Sequence, residues 1–415
     1  MSLFDQYLKK ECRYCNSKLP HAILELGIQP LANSFIKKDE AENSEFTCPL
    51  TITRCTHCGL VQLTHIVPAD LMFSHYLYVS STTKTFQVHF AEYAKDLKER
   101  SFKKENLLAV DIGSNDGLLV SCYMKEGMKA LGVDPAKNLA EDANKRGITT
   151  INNYFNEETV AQIKREYGNA DIISGNNVFA HIDDIQSVCK NVANLLSDTG
   201  IFVIEFPYMA VMLEDMVFDM IYHEHVSYIN ITPLKYLMSQ HQLEIFDIKK
   251  VASHGGSLRV FIQKKAGVYK VTDTVTRYLN EEEQKGYNKQ QTYIDFSDRV
   301  ANVKTTLLEF VNTAKKENKT IAGYGAPAKG NTIINYCNFT PEQINFIVDD
   351  NPMKQNMLTP GAKIPVVNSQ YLAEHPTDYV IIFAWNFAEE IIKNNKQLKE
   401  KGIKFIVPLP KPEII

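Results

Sequence analysis

The stretch LLAVDIGSNDG at residues 107–117 constrains the fold more than any other part of this 415-residue sequence. Its apolar run suits a strand that is buried on both faces, as strands in parallel α/β sheets are. Gly113 and Gly117 then allow a tight turn that brings the backbone close to a ligand, and Asn115 or Asp116 can cap the following helix. Open α/β sheets bind nucleotides at such turns, so the stretch predicts an α/β nucleotide-binding domain.

A second apolar run, residues 130–134, ends in Asp134, twenty-three residues after Asp111. An acid at the end of the second strand is placed to bind the hydroxyl pair of a ribose. The G-S-N-D-G spacing departs from the G-x-G-x-x-G fingerprint of dinucleotide sites, which disfavours a pyrophosphate ligand. It instead resembles the first motif of class I S-adenosylmethionine-dependent methyltransferases. In that family the acid before the turn contacts the methyl donor, and the glycines make room for its amino-acid tail.

Two C-x-x-C pairs stand in the amino-terminal part of the sequence, Cys12 with Cys15 and Cys55 with Cys58. Each pair presents two sulfurs from one tight turn, and four thiolates together can close a tetrahedral zinc site. A redox pair is the alternative, but neither pair opens a helix after a strand. Because four thiolates leave no coordination position for chemistry, we expect a structural zinc.

Charge and composition exclude several classes of protein. The net charge of −4 and the pI of about 6.3 indicate no basic surface for nucleic acid or an anionic membrane. No apolar run approaches the roughly 20 residues that cross a bilayer, and the amino terminus lacks a signal-peptide core. Eight cysteines without an export signal favour thiols or metal over disulfides. We therefore expect a cytoplasmic monomer or small homo-oligomer.

Strand-like and amphipathic runs alternate from residue 107 to residue 264, which predicts a parallel sheet with right-handed crossovers. Two later runs flank a glycine turn that contains His254 and are predicted to pair as an antiparallel hairpin. A seventh, antiparallel strand also ends the sheet of class I methyltransferases, so the order of elements agrees with the motif. The six strand-like runs are residues 107–112, 130–134, 171–175, 200–206, 243–251 and 257–263.

A second α/β pattern follows a long helical stretch at residues 296–310. The turn GYGAPAKG places glycines and Lys329 at the end of a strand, which suits phosphate. An NAD site and a packing or dimerisation lobe are the alternatives. Since single cores rarely exceed roughly 250–300 residues, we predict several domains. Their predicted bounds are 1–68 for the zinc module, 69–275 for the methyl-donor domain and 276–415 for a Rossmann-like lobe.

The segment YHEHVSY at residues 222–228 carries two imidazoles, a carboxylate and two phenols, which is too many polar groups for a core segment. Metal binding is disfavoured because no helical i, i+4 pair of ligands appears. A solvated surface segment is the simpler alternative. The segment follows a strand whose carboxyl end meets the donor edge of the sheet, which favours proton chemistry. Residues 73–82, FSHYLYVSST, form either a packed connector or an aromatic lid over a ligand.

The chain as a whole resembles the sugar-nucleotide C-methyltransferases, typified by the deoxysugar C-3 methyltransferase of tetronitrose biosynthesis. The resemblance implies an α/β protein of three parts: a zinc-binding module, a class I methyltransferase Rossmann-like domain, and a second Rossmann-like lobe that shares the sugar nucleotide. The signatures that carry it are the paired cysteines, DIGSNDG, NNVFAHI at 176–182, YHEHVSY, SHGGSLR at 253–259, GYGAPAKGNT at 323–332 and VDDNPMKQNMLTPG at 348–361.

The family's reaction gives the histidines a use. A 4-keto nucleotide sugar has an acidified proton on the neighbouring carbon, and an imidazole with an ordinary pKa of about 6.5 can take it at neutral pH. The resemblance implies that His225 is the general base and that Glu224 orients it or the substrate. Tyr222, Tyr76 and His181 are then expected to hold the keto oxygen and stabilise its charge.

The resemblance also implies the binding residues. S-adenosylmethionine is expected to contact Asp111, Gly113, Asp134 and Asn176. The sugar nucleotide, linked to dTDP or GDP, has as its candidates Tyr78, His254, Tyr324 and Lys329. Lys329 is expected at the pyrophosphate and Tyr324 against the base. The alternatives are an O- or N-methyltransferase acting on a sugar or small molecule, and a non-catalytic zinc-bearing binding protein.

Overall fold

The computed structural model describes residues 4–73, 84–251 and 256–415. The predicted site residues Tyr76, Tyr78 and His254 lie outside these ranges. Among the helices of the described ranges, none combines the length and the apolar character that a membrane span needs.

The amino-terminal module is a small antiparallel sheet that positions both cysteine pairs. The strands of the module are β1 (Leu24–Pro30), β2 (Ile36–Lys37), β3 (Thr47–Arg54) and β4 (Val61–Leu63), of which β2 lies outside this sheet. β3 pairs with β1 on one side and with β4 on the other. The second cysteine pair forms the turn between β3 and β4, where the Cys55 amide donates to the Leu60 carbonyl at 2.8 Å.

Helices α1 (Ala69–Phe73) and α2 (Lys84–Arg100) lead into the central domain. Its helices are α3 (Leu118–Lys125), α4 (Lys137–Lys145), α5 (Glu157–Tyr167), α6 (Ile185–Leu195), α7 (Met209–Glu214) and α8 (Ile231–Gln240). Its strands are β5 (Leu108–Ile112), β6 (Lys129–Val133), β7 (Thr150–Ile151), β8 (Ala170–Asn176), β9 (Leu196–Pro207), β10 (Ser227–Tyr228), β11 (Leu243–Val251) and β12 (Ser257–Lys264).

Seven of these strands form one sheet in the order β11-β12-β9-β8-β5-β6-β7. β12 runs antiparallel to both of its neighbours, and the other pairs are parallel. The six predicted strands and the antiparallel hairpin are therefore confirmed. β5 is buried at all five of its positions, as a strand covered by helices on both faces must be. β5 lies between β6 and β8, so the carboxyl ends of these strands meet at one edge of the sheet.

The segment after β9 connects the central domain to the amino-terminal module. It contains α7, a 3-10 turn at Phe218–Met220, β10 and α8. β10 joins the sheet of the amino-terminal module, where Ser227 pairs with Gln62 and Tyr228 with Val61 on β4. Sequence analysis did not predict this strand. Its pairing places YHEHVSY between the two sheets.

The carboxyl-terminal lobe is a second α/β unit, as predicted. Two helices precede its sheet, α9 (Asp273–Gln284) and α10 (Gln290–Lys316), and four more belong to the lobe itself, α11 (Ala328–Tyr336), α12 (Ser369–Glu374), α13 (Ala388–Asn394) and α14 (Lys396–Glu400). Its strands are β13 (Ile321–Tyr324), β14 (Ile347–Val348), β15 (Met357–Leu358), β16 (Val366–Val367), β17 (Tyr379–Ile382), β18 (Lys404–Val407) and β19 (Glu413–Ile414).

The lobe's sheet has the order β16-β14-β13-β17-β18-β19, and its strands are parallel except for β19. β15 instead pairs with β2 of the amino-terminal module. One apolar cluster includes Leu24 of that module, Phe218 of the segment after β9, and Ile321 of the lobe. The three parts therefore share a core, which fixes their relative placement.

Candidate active site

His225 is held by both of its ring nitrogens. Nδ1 lies 2.8 Å from the carbonyl oxygen of Met220, and Nε2 lies 2.9 Å from the hydroxyl of Tyr222. Because a carbonyl only accepts, Nδ1 carries the proton, and in the neutral ring Nε2 accepts from the Tyr222 hydroxyl. The ring is thus fixed in the tautomer whose Nε2 can take up a proton.

His181 lies beside this pair although it comes from a distant part of the sequence. It ends the 3-10 turn Phe179–His181 after β8, and its ring centroid is 4.9 Å from that of His225, edge to face. The Val226 amide donates to the Ala180 carbonyl at 2.9 Å, which joins the two segments. The structure therefore brings together three of the predicted catalytic residues, His181, Tyr222 and His225.

His223 and Glu224 of the segment contact the amino-terminal module. Asn33 donates to the Glu224 carboxylate at 2.5 Å, and His223 contacts the Cys48 carbonyl at 3.1 Å. Burial lowers the pKa of His223 to about 4, so this imidazole stays neutral. The Met220 carbonyl holds Nδ1 of His225, and the predicted role of Glu224 as an orienting group stays a prediction.

Two buried acids lie at the carboxyl edge of the sheet. Asp111 is the penultimate residue of β5 and accepts a hydrogen bond from the Ser174 hydroxyl at 2.6 Å, while burial raises its pKa to about 7. Asp134 follows β6 and accepts from the amides of Asn115 and Ala136 at 2.7 and 2.8 Å. Burial also raises the pKa of Asp134. Both acids stand where the motif predicts contacts with the methyl donor.

At the same edge Gly113 allows close approach of the backbone, and Asn176 has buried polar atoms without a hydrogen-bond partner among the described residues. Both polar atoms of the Asn176 amide are buried and have no hydrogen-bond partner among the described residues. Such groups are rare in folded proteins unless a ligand satisfies them. Gly113 has φ +67°, and a Cβ there would lie 2.6 Å from Cγ2 of Val178. The residues present thus fit the polar amino-acid tail of S-adenosylmethionine.

Sequence analysis missed a buried ionic cluster beside this site. Glu205 on β9 is fully buried, accepts from Arg259 Nε at 3.0 Å, and lies 2.8 Å from Nε2 of His89. The Arg259 guanidinium lies over the ring of Tyr93 at 3.8 Å. Glu205 is the register partner of Asn176, so the cluster forms a wall of the donor site. The sequence offered one signal for this cluster: Glu205 is the single acid within the apolar run GIFVIEFP.

The four predicted zinc ligands are brought together. The sulfurs of Cys12, Cys15, Cys55 and Cys58 all lie within 4.8 Å of one another. The Cys12–Cys58 and Cys15–Cys55 separations are 3.4 and 3.5 Å. A tetrahedral site with Zn–S bonds of about 2.3 Å requires sulfurs roughly 3.8 Å apart, so the cluster fits a zinc ion.

The two predicted nucleotide-binding residues of the carboxyl-terminal lobe, Lys329 and Tyr324, have different surroundings. The Lys329 ammonium donates to Asn386 at 2.5 Å and lies 4.8 Å from the Trp385 ring, and burial lowers its pKa. Tyr324 packs in the core of the lobe and is 8% exposed. Its hydroxyl donates to Asp350 at 3.4 Å. Stacking of Tyr324 on a base stays a prediction, and it requires the ring to leave that core.

Comparison with known proteins agrees with this arrangement. Three family models match successive parts of the chain: a putative zinc binding domain at 12–73, a methyltransferase domain at 86–248 and a C-methyltransferase C-terminal domain at 252–410. The chain is 36% identical over 405 residues to the C-methyltransferase NovU of Streptomyces niveus, which covers 98% of this chain and 96% of that protein. The chain belongs to the C-methyltransferase family. Membership sets aside the O- and N-methyltransferase alternatives and the non-catalytic one.

Solved structures match less of this C-methyltransferase. The PH0226 protein of Pyrococcus horikoshii is 14% identical and covers 48% of this chain and 98% of its own, with a TM-score of 0.37. The magnesium protoporphyrin IX methyltransferase of Synechocystis, solved with bound SAH, is 12% identical and covers 43% and 83%, with a TM-score of 0.35.

The predicted cofactors of this C-methyltransferase are confirmed as S-adenosylmethionine and zinc. The residues that fit the donor lie at the carboxyl edge of the seven-stranded sheet. The four cysteines of the zinc binding domain lie close enough together that they would hold the metal. This zinc has a structural role, because four sulfurs fill its tetrahedral coordination and leave no open position for a substrate.

Proposed function

We propose that this C-methyltransferase transfers a methyl group from S-adenosylmethionine to C-3 of a 4-keto deoxysugar nucleotide through a base-generated enolate. One observation carries the proposal: Nδ1 of His225 faces the Met220 carbonyl, its Nε2 lies 2.9 Å from the Tyr222 hydroxyl, and the ring centre of His181 is 4.9 Å from its own. A carbon atom becomes nucleophilic only after it loses a proton, so a carbon acceptor needs a base of this kind.

His225 Nε2 takes the C-3 proton, and the electrons of the broken C–H bond form an enolate spread onto the 4-keto oxygen. For this step the Tyr222 hydroxyl turns from Nε2 of His225 to the 4-keto oxygen. Tyr222 and His181 then stabilise the charge that develops on this oxygen by donating hydrogen bonds. When bound, S-adenosylmethionine supplies a sulfonium methyl that the enolate carbon can attack. Sulfur would be the leaving group of that transfer and would keep the electrons of its bond to the methyl, and His225 releases the C-3 proton to solvent.

The carboxyl-terminal lobe supports a nucleotide-linked substrate. The turn after β13 is fixed by Asp349, which accepts from the Ala326 amide at 2.7 Å, and by Lys354, which donates to the Ala326 carbonyl at 2.9 Å. Lys329 is the second residue of α11, which follows this turn. Amides and an ammonium at a helix start suit a pyrophosphate, linked to thymidine or guanosine. The substrate is therefore a small molecule, and neither nucleic acid nor a membrane is required.

We also propose a cytoplasmic location, since zinc binding by four thiolates requires reduced cysteines. Within the described ranges the eight cysteines are free. The domain bounds at residues 68 and 275 and a monomeric or small homo-oligomeric state stay predictions.

Deuterium exchange tests the proposed chemistry directly. Wild-type protein incubated with a 4-keto sugar nucleotide in D₂O, without methyl donor, should incorporate deuterium at C-3. His225→Gln should slow this exchange by about 10²–10⁴-fold, because it removes a general base. His241→Gln is the matched control, since His241 bonds to Gln186 and directly follows α8, the helix after the segment. Mass spectrometry with labelled donor then locates the methyl group.

Methyl transfer to a hydroxyl, or C-methylation with no wild-type exchange at C-3, would refute the enolate route. A C-methylated product from another substrate class would refute the sugar nucleotide alone. If His225→Gln leaves the rate of deuterium exchange at C-3 unchanged, His225 is not the general base.

A further inference from the structure

Arg13 is a buried arginine between two zinc ligands, Cys12 and Cys15. The residue is only 8% exposed to solvent. The two terminal nitrogens of its guanidinium donate to two different segments of the central domain. Nη1 donates to the Ile182 carbonyl at 2.7 Å and to the Asp183 carbonyl at 3.3 Å.

The second terminal nitrogen reaches the other segment. Nη2 donates to the Val226 carbonyl at 2.6 Å and to the hydroxyl of Ser227. Ile182 follows His181 directly, and Val226 follows His225 directly. One guanidinium therefore bridges the two backbone segments that carry the histidines of the proposed acid–base site.

The rest of the amino-terminal module contacts the same segment. The Leu63 amide of β4 donates to the Val226 carbonyl at 3.2 Å, beside the contact from Arg13. β10 continues from Val226 as an edge strand of the module's sheet. Asn33 and the Cys48 carbonyl hold Glu224 and His223. Residues 223–228 thus take their position from the zinc module as much as from the domain in which they lie.

We propose that Arg13 is a positioning residue that couples the zinc knuckle to the acid–base histidines and sets the separation of His181 and His225. This inference rests on the proposed function for its catalytic meaning. The planar guanidinium reaches both segments at once, whereas the single ammonium of lysine cannot reproduce that fork. Zinc bound to Cys12 and Cys15 would hold the backbone from which Arg13 extends.

The chain offers a matched control in Arg54. It is 7% exposed, precedes the zinc ligand Cys55, and donates to the Asn288 carbonyl at 2.9 Å. Its guanidinium also lies 5.5 Å from the ring centre of Tyr293. Arg54 thus shares the burial and the neighbouring zinc ligand of Arg13 but contacts α10 and the residues before it, away from the histidine segments.

The test is the imidazole ¹H–¹⁵N spectrum of the zinc-loaded protein, with His181 and His225 assigned through His181→Gln and His225→Gln. Arg13→Lys should shift both signals, and Arg54→Lys should leave both in place. Zinc content should stay at one ion per chain in both variants. Calorimetry should show an unchanged affinity for S-adenosylmethionine in both, while Arg13→Lys slows C-3 exchange by about tenfold, as loss of alignment does.

Unmoved histidine signals in Arg13→Lys, or equal shifts in Arg54→Lys, would overturn the proposal. If Arg13→Lys loses zinc or fails to fold, Ser227→Ala removes one acceptor from the same guanidinium and leaves the knuckle intact. It should shift His225 more than His181, and an unshifted His225 would again overturn the proposal. Because the spectrum needs no substrate, it decides on Arg13 even if wild-type protein shows no exchange.

Discussion

Asp111 lies at the end of β5 in a position where its charge is costly. Burial raises its pKa to about 7, the charge of Asp134 also raises it, and the hydrogen bond from Ser174 partly offsets the rise. The folded, donor-free protein therefore keeps this carboxyl protonated below about pH 7, whereas the unfolded chain ionises it near the ordinary value of 3.8. The free energy of unfolding should consequently fall as pH rises between these values.

Donor binding should reverse this balance, because S-adenosylmethionine carries positive charge that favours the ionised Asp111. We expect its affinity to rise between pH 6 and pH 7 by up to about tenfold, with release of a proton. Asp111→Asn should remove this pH dependence, weaken donor binding, and stabilise the donor-free protein at pH 8. Calorimetry in buffers of different ionisation enthalpy measures the proton.

Asp171→Asn is the control, since Asp171 lies near the amino-terminal end of β8 and pairs with Lys103 at 3.0 Å. It should leave donor affinity and its pH dependence unchanged. If Asp111→Asn binds the donor with the wild-type pH profile, Asp111 is not the group that responds to the donor.

The turn between β5 and α3 is held in place by close packing, because its Gly113 lies against Val178. Gly113→Ala places a Cβ 2.6 Å from Cγ2 of Val178, three residues before His181, at a backbone with φ +67°. We expect a loss of about 2–5 kcal/mol, from left-handed strain together with overpacking, and weaker donor binding. Thermal unfolding and calorimetry measure the two effects.

Gly147→Ala separates strain from packing. Gly147 also has positive φ, +79°, but a Cβ there meets nothing within 4 Å, so its loss should be only about 1–2 kcal/mol with donor affinity unchanged. Adding Val178→Ala to Gly113→Ala should recover part of the lost stability. Equal losses in the two glycine variants would show that the contact with Val178 does not matter.

Trp385 is the single tryptophan of the sequence, so its fluorescence reports the contact between the central domain and the carboxyl-terminal lobe. Its indole N–H donates to the buried carboxylate of Asp219 at 2.6 Å, in the turn that precedes Tyr222. Burial raises the pKa of Asp219 to about 6, while Lys329 and the indole lower it. Tryptophan emission should therefore shift with a midpoint near pH 6.

Asp219→Asn should abolish this transition, because an amide does not titrate, and Lys329→Met should move its midpoint upward by removing a nearby positive charge. The stability contribution of Asp219 has the same sign as that of Asp111 and falls as pH rises from about 3.8 to 6. A transition that persists in Asp219→Asn would assign the signal to another group and leave this contact without a reporter.

The sequence by itself determined the local elements. The buried strands, the glycine turn, the four cysteines and the antiparallel hairpin all follow from hydrophobic period and residue type, which act over a few residues. Only the tertiary structure decided that β10 pairs with the zinc module, that Arg13 bridges the segments of His181 and His225, and that Glu205 is neutralised by Arg259. These contacts join residues 54 to 213 positions apart, and their energies arise from burial and pairing that no local pattern encodes.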